Sequence, residues 1–333
     1  VPSAVQQDHT AVSLINRVSA VQPGKDFDVA VVLQHIPGWH SYWENPGEAG
    51  IPTTLTWTLP EGFTAGNVRW PVPEILREGP LAVYAYHDTI VLPVTITPPE
   101  NLDGVPNVFI KVKAEWLVCK EICIPESAEL AVDLPVSQDV RTVSAHAAIF
   151  AQHEAAQPAI LAEKGTYTTG KEHFILSLPR ASLAMENITN ATFLPRQYNV
   201  IVYSAAQTFS LDKDTLTLTT TKAEDMPTGD VSGFLMVEND DGKKYFEVTL
   251  NRSDASPAPA SSSAPEKEAA GFLLALAFAV LGGVILNLMP CVLPVLSLKA
   301  LAVAKKSGQE HAHVAIMGVS YTAGILVSFA AIA

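Results

Sequence analysis

Apolar and polar residues alternate one for one along much of the first 135 positions. In 26–34, Phe27, Val29, Val31 and Leu33 share a face, and in 54–59 Leu55, Trp57 and Leu59 alternate with threonines. Further runs cover 89–96 and 108–118, the latter with Val108, Ile110, Val112, Ala114 and Trp116 on one side. Leu130, Val132 and Leu134 close the series. Period-two patterning gives each strand one face for a core and one for solvent. Pro23-Gly24, Pro37-Gly38, Pro46-Gly47 and Asp103-Gly104 punctuate the runs as turns. The pattern predicts an antiparallel, immunoglobulin-like β-sandwich over 1–137.

The period changes at 139–157. That stretch is Ala-rich, lacks Gly and Pro, and places Val143, Ala147 and Phe150 at helical spacing, with Pro158 to end it. It predicts a helix leading a second β-rich, sandwich-like domain over 138–252. Strands are expected there at 174–178, 199–203, 215–219, 233–237 and 244–250, with a hairpin turn at Asp240-Asp241-Gly242-Lys243. The domain has no cysteine and no cluster of potential metal ligands, so its expected role is structural or in docking.

Residues 253–270, rich in Pro, Ala and Ser, read as a linker. From 269 to 298 no residue is charged, a run long enough to span a bilayer, although Pro290 and Pro294 break a straight helix. A second apolar run, 314–333, follows Lys305-Lys306. Basic residues in a short loop favour the cytoplasmic side. Residues 271–333 thus read as the first one to two helices of an α-helical membrane domain, with 1–270 outside. The chain reads as the N-terminal part of a longer protein.

Charge sharpens this division. The net charge is −13, but the charged residues after position 270 (Lys299, Lys305, Lys306 and Glu310) sum to +2, so 1–270 carries −15. An acidic exported part without clustered Lys or Arg argues against a nucleic-acid partner.

The chain has three cysteines, Cys119, Cys123 and Cys291. Residues four apart in a continuous strand lie roughly 13 Å apart, whereas a disulfide needs Cα atoms within about 4.4–6.8 Å. Pairing of Cys119 with Cys123 therefore requires a turn through Lys120-Glu121-Ile122, as a tight hairpin or a helical turn. Lys120 is placed to help stabilise a thiolate. A redox-active pair, a structural disulfide and two buried thiols all remain open, while two cysteines without a nearby His fall short of a closed zinc set. Cys291 lies between Pro290 and Pro294, and irregular backbone at membrane depth is tolerated where it is buried in protein or lines a cavity.

The stretch 38–47, Gly-Trp-His-Ser-Tyr-Trp-Glu-Asn-Pro-Gly, is both aromatic and polar. It reads either as a core strand followed by a turn or as a wall beside the dithiol, with His40, Tyr42 and Trp43 in it. A turn at 77–81 containing Glu78 is a candidate shield, and Tyr86 follows it, with Tyr84, His87 and Asp88 around it in sequence. With Lys120 these complete the possible surround of the pair.

Three segments together resemble the DsbD/ScsB-type transmembrane thiol–disulfide reductases. They are 118–125 (Val-Cys-Lys-Glu-Ile-Cys-Ile-Pro), 38–47, and 286–299 (Leu-Asn-Leu-Met-Pro-Cys-Val-Leu-Pro-Val-Leu-Ser-Leu-Lys). The first two look closer to the ScsB branch. The resemblance implies a bacterial inner-membrane protein with 1–270 in the periplasm. In it Cys119 and Cys123 are the N-terminal exchange pair, Cys291 is the first membrane cysteine, and Cys123 is the nucleophile. It further implies that electrons pass from cytoplasmic thioredoxin through the membrane domain and a C-terminal thioredoxin-like domain to this N-terminal domain. That domain then reduces periplasmic thioredoxin-fold proteins, a disulfide isomerase or a ScsC-like protein. No cofactor is expected. The chain departs from the pattern by lacking the second membrane cysteine and the thioredoxin-like domain, and by having no aromatic at Glu78-Gly79-Pro80-Leu81 to cap the pair. Two alternatives stand beside this reading. One is a copper-handling protein using Cys119, Cys123, Met289 and His40, and the other is a set of adhesive immunoglobulin-like modules on a membrane anchor.

Overall fold

Strand-forming residues at period two and turn residues between them produce a chain that is almost entirely β. The computed structural model describes residues 4–138 and 143–253. The chain first forms strands β1 (Val5–Gln6), β2 (Thr10–Asn16), β3 (Phe27–His35), β4 (His40–Gly47), β5 (Thr54–Thr58) and β6 (Thr64–Ala65). It continues with β7 (Glu74–Glu78), β8 (Leu81–His87), β9 (Thr89–Thr97), β10 (Asn107–Cys119) and β11 (Cys123–Pro135). One helix, α1 (Ala147–Ala155), precedes β12 (Ala159–Ile160), β13 (Gly165–Thr169), β14 (His173–Pro179) and β15 (Ile188–Pro195). The described part ends with β16 (Thr208–Leu211), β17 (Thr215–Thr221), β18 (Val231–Asn239) and β19 (Gly242–Arg252).

The first eleven strands make two sheets. One runs β1-β2-β3-β9-β6, and the other runs β11-β10-β4-β8-β7 with β5 also on β10. They face each other as an immunoglobulin-like sandwich. Phe27, Val29, Val31 and Leu33 are each at most 3% exposed, as are Val108, Ile110, Val112, Ala114 and Trp116 from the other sheet. The alternation read from the sequence is therefore the inward face of each strand. The remaining strands form a third sheet, β15-β18-β19-β13-β14-β17-β16, with β12 parallel to β19. It is the second sandwich-like region, and β18 and β19 turn through Asp240-Asp241 as a two-residue hairpin.

Two expectations are corrected. The apolar segment 199–203 is a turn rather than a strand, because Asn199 takes a left-handed φ of 57°. Val200 and Ile201 are buried all the same, and Ile201 makes only an isolated bridge to Lys222. The helix covers Ala147–Ala155, and Val143 lies before it, 74% exposed in an isolated bridge to Val18. Phe150 packs on Ile15 and Ala30, which leave β2 and β3 on the side opposite Leu14 and Val29. The helix thus lies on the outer face of the first sandwich. The linker and the apolar spans at 269–298 and 314–333 lie outside the described residues. Among the described residues no helix is long and apolar enough to cross a membrane.

The described residues fall within one compact unit, and a single apolar core runs through both β-regions. Trp43 of β4 stacks on Phe234 of β18 at 5.3 Å, and Tyr84 of β8 meets Tyr203 edge-on at 5.6 Å.

His35, 5% exposed at the end of β3, donates its Nδ1–H to the Asp88 carbonyl at 2.9 Å. Burial, with His40 and His87 nearby, holds its pKa down at about 4, against 6.5 for a free histidine. The folded state therefore binds fewer protons than the unfolded state between these values, and its stability falls as pH falls. This contribution is fully present above about pH 6.5 and lost through pH 4, a total of about 3 kcal/mol. Chemical denaturation at stepped pH should show that His35→Gln flattens this acid slope. An unchanged slope would contradict the assignment.

Candidate functional site

The site begins with a register. Strands β10 and β11 pair along their whole length, from Asn107↔Pro135 to Cys119↔Cys123. The turn between them is Lys120-Glu121-Ile122, closed by a hydrogen bond from the Lys120 N–H to the Ile122 carbonyl at 3.1 Å. Residues directly opposite in an antiparallel pair have neighbouring Cα atoms, and here those of Cys119 and Cys123 are 4.1 Å apart. The two sulfurs are bonded at 2.07 Å. The connection is thus the tight hairpin rather than a helical turn.

The two sulfurs meet different surroundings. Trp116 and Val118 point into the sandwich core, so Leu117 and Cys119 point to the outer face of the sheet. There Cys119 is 2% exposed, packed with Tyr42, Val83 and Ala85. Cys123, across the turn, is exposed.

Strand β4 supplies the polar side of the site. His40 pairs with Cys119 on one side and with His87 on the other. Two residues on, Tyr42 leaves the same face. Its hydroxyl lies 3.9 Å from Cys123 Sγ and 3.3 Å from His40 Nε2. The His40 and His87 rings are 5.4 Å apart, and His87 Nδ1 meets a Glu74 carboxylate oxygen at 3.1 Å. A polar row therefore runs from the exposed sulfur through Tyr42, His40 and His87 to Glu74. The Tyr42 ring is roofed by Gly50, which takes a φ of +105°. A Cβ there would come within 2.4 Å of the ring, so glycine is needed for the tyrosine to fit.

Of the residues expected around the pair, His40 and Tyr42 lie beside it. Trp43 and Tyr86 do not, because alternation sends them to the inner face. Trp43 stacks in the core, and Tyr86 stacks on Trp70 and donates its hydroxyl to the Pro71 carbonyl at 2.6 Å. The Glu78 backbone pairs with Leu81 at the β7–β8 turn. Lys120 runs over Gly38, where a Cβ would sit 3.4 Å from its Nζ. Cys291 and Met289 lie outside the described residues. Glu74 and the floor of Val83 and Ala85 were missed in the surround, while His87, which follows the candidate shield, does lie beside His40. Alternation through 81–87, which sets Val83, Ala85 and His87 opposite Tyr84 and Tyr86, is the signal that finds all but Glu74. Among the described residues no group of three or more His, Cys, Asp or Glu is placed to hold a metal ion.

This geometry suits thiol chemistry. An incoming thiolate can reach Cys123 Sγ, the sulfur of Cys119 is then the leaving group, and a hydroxyl donor stands beside the attacked atom.

Residues 7–135 match the family described as thiol:disulfide interchange protein DsbD, N-terminal. No curated protein matches the chain. Among solved structures, the chain is similar to the N-terminal periplasmic domain of ScsB from Proteus mirabilis, with 17% identity and a TM-score of 0.54. That match covers 76% of this chain and 98% of the other, so it takes in the second β-region as well as the first. A GAE domain of GGA2p from Saccharomyces cerevisiae matches at 10% identity and a TM-score of 0.25, covering 40% of this chain and 97% of the other. The buried–exposed cysteine pair at the end of the β10–β11 hairpin thus sits in a segment, 7–135, that matches the N-terminal domain of the thiol:disulfide interchange protein DsbD, on a fold shared with the ScsB domain.

Proposed function

We propose that the chain passes reducing equivalents to thioredoxin-fold proteins of the periplasm through Cys119 and Cys123. The observation that carries this reading is the unequal burial of the two sulfurs within one disulfide. In the reduced form the Cys123 thiolate attacks a partner disulfide. A mixed disulfide forms and one partner thiolate leaves. The Cys119 thiolate then attacks Cys123 Sγ, restores the intramolecular bond and releases the second partner thiol. Two electrons and two protons have then moved to the partner. The pair is reduced again by the reverse steps with a donor dithiol, for which the family resemblance suggests a thioredoxin-like domain fed through a membrane domain. Residues 271–333 would begin that membrane domain, anchored in the inner membrane, with Cys291 as its first cysteine. The relative from Proteus mirabilis is a periplasmic domain, which supports placing residues 1–270 there.

A partner trap tests the proposal. Cys119→Ser should accumulate a mixed disulfide with a thioredoxin-fold partner, visible on a non-reducing gel and reversed by reductant, while Cys123→Ser should give none. Adducts formed equally by both variants, or by neither, would remove the assignment. The burial difference makes a separate prediction for the reduced protein. Iodoacetamide should label Cys123 at least about tenfold faster than Cys119 when peptides are followed by mass spectrometry, because reactivity follows access and thiolate character. Equal rates would count against Cys123 as the entry point.

A further inference from the structure

Immediately after Tyr42, strand β4 leaves its ladder. Tyr42 pairs with Ala85 and the next pair is Gly47 with Val83, so residues 43–46 stand opposite Tyr84 alone. A bulge of this kind bends a strand and re-aims the side chains beside it, and bulges are frequent next to active sites. The second β-region takes hold of this bulge at several points. Asn45 is fully buried and donates both amide hydrogens to it, to the Pro195 carbonyl at 2.7 Å and the Gln197 carbonyl at 3.1 Å. Its own side-chain oxygen accepts from the Gly47 N–H at 3.1 Å, closing the bulge from within. Tyr198 donates its hydroxyl to the Glu44 carbonyl at 2.9 Å, and Arg196 pairs with the Glu44 carboxylate while reaching Glu247 at 3.0 Å. At the far end Glu48 joins the two regions, accepting from the Ser204 hydroxyl at 2.6 Å and the Ala82 N–H at 2.7 Å.

We infer that the 195–204 segment of the second β-region is part of the redox site. It fixes the β4 bulge, and the bulge sets the direction in which Tyr42 presents its hydroxyl to Cys123. Asn45 is the central positioning residue, Tyr198 a weaker one, and Tyr42 the group that touches the reacting sulfur. This gives the second region a chemical task although it carries no cysteine. The inference rests on the exchange reading for its biological meaning alone, since the reactivity of Cys123 is measurable whether or not a protein partner is ever found.

The physical consequence is a loss of thiolate stabilisation when the bulge is loosened. A hydroxyl donating to a thiolate favours the charged form. Intrinsic nucleophilicity falls less steeply than thiolate fraction rises, with a Brønsted coefficient of about 0.4–0.5. Where the thiolate is the minor form, removal of the donor should therefore slow attack on a disulfide by about threefold to tenfold.

The experiment is a double-mutant cycle in the full chain carrying Cys291→Ser, reduced and then mixed with glutathione disulfide at one fixed pH, low enough that the rate still rises with pH and the thiolate is the minor form. Each reduced pair attacks one glutathione disulfide, becomes oxidised and releases two glutathione thiols, which are counted against time. Tyr42→Phe should slow the reaction by about threefold to tenfold. Asn45→Ala should slow it by a comparable factor alone and by no more than about 1.5-fold in the Tyr42→Phe background, because residues acting through one contact are not additive. If Asn45→Ala does not fold, Tyr198→Phe replaces it, with a smaller slowing that likewise disappears in the Tyr42→Phe background. A folded Asn45→Ala protein with an unchanged rate would overturn the inference, and so would an equal slowing with and without the Tyr42 hydroxyl. Failure of the partner trap would leave this result standing, so the two proposals fail separately.

Discussion

The register of the β10–β11 hairpin is enforced by the sandwich core. A slip of one residue exchanges every inward side chain for an outward one. In β10 it would carry Lys111, Lys113 and Glu115 into the space now filled by Ile110, Val112, Ala114 and Trp116. Burying an unpaired charge costs several kcal/mol, so the observed register prevails by a wide margin. Cys119 and Cys123 meet because thirteen residues of sheet leave them nowhere else to be. The pair should therefore remain juxtaposed in the dithiol form, which is what a reversible exchange site requires. The same alternation sets the chemistry, since Cys119 follows Val118 and must face away from the core.

Strand β4 carries this constraint into the rest of the molecule. Its first half lies in register with Cys119 and His87, and its second half leaves the ladder to enter the second β-region. The continuous core through Trp43 and Phe234 makes that junction apolar, while Asn45 and Glu48 make it directional. Hydrogen bonds between fully buried groups are costly to leave unmade, so the bulge has few alternatives to the conformation seen. The fold match to the ScsB domain spans both regions. Fold likeness and contact geometry therefore describe one body, with the disulfide paired beside β4, the strand that both halves hold.

Much of this was legible in the amino-acid pattern. Alternation in 27–33 and 108–116 marked the core faces correctly, and the Asp240-Asp241-Gly242 turn marked its hairpin. The failures arise where local pattern is silent. Local pattern does not say which of two faces the core will take where both are apolar. Through 40–43 His, Ser, Tyr and Trp are all buried, so nothing local separates Tyr42, beside Cys123, from Trp43, in the core. At 199–203 an apolar run is buried as a turn because the second region needs it at the junction rather than in a sheet. Glu74 reaches the site only through a cross-strand pairing of β7 with β8, which the spacing of residues does not reveal. The bulge at 43–46 is likewise invisible locally, because its partners lie about 150 positions further along the chain.

The central claim is that Cys119 and Cys123 form an exchange pair and not a structural clasp. Its most direct test is the reduction potential of the pair, from thiol labelling after equilibration in redox buffers of defined potential. The account predicts a value within the range of known exchange proteins, about −120 to −270 mV. A pair that stays oxidised below about −300 mV, as structural disulfides do, would contradict it.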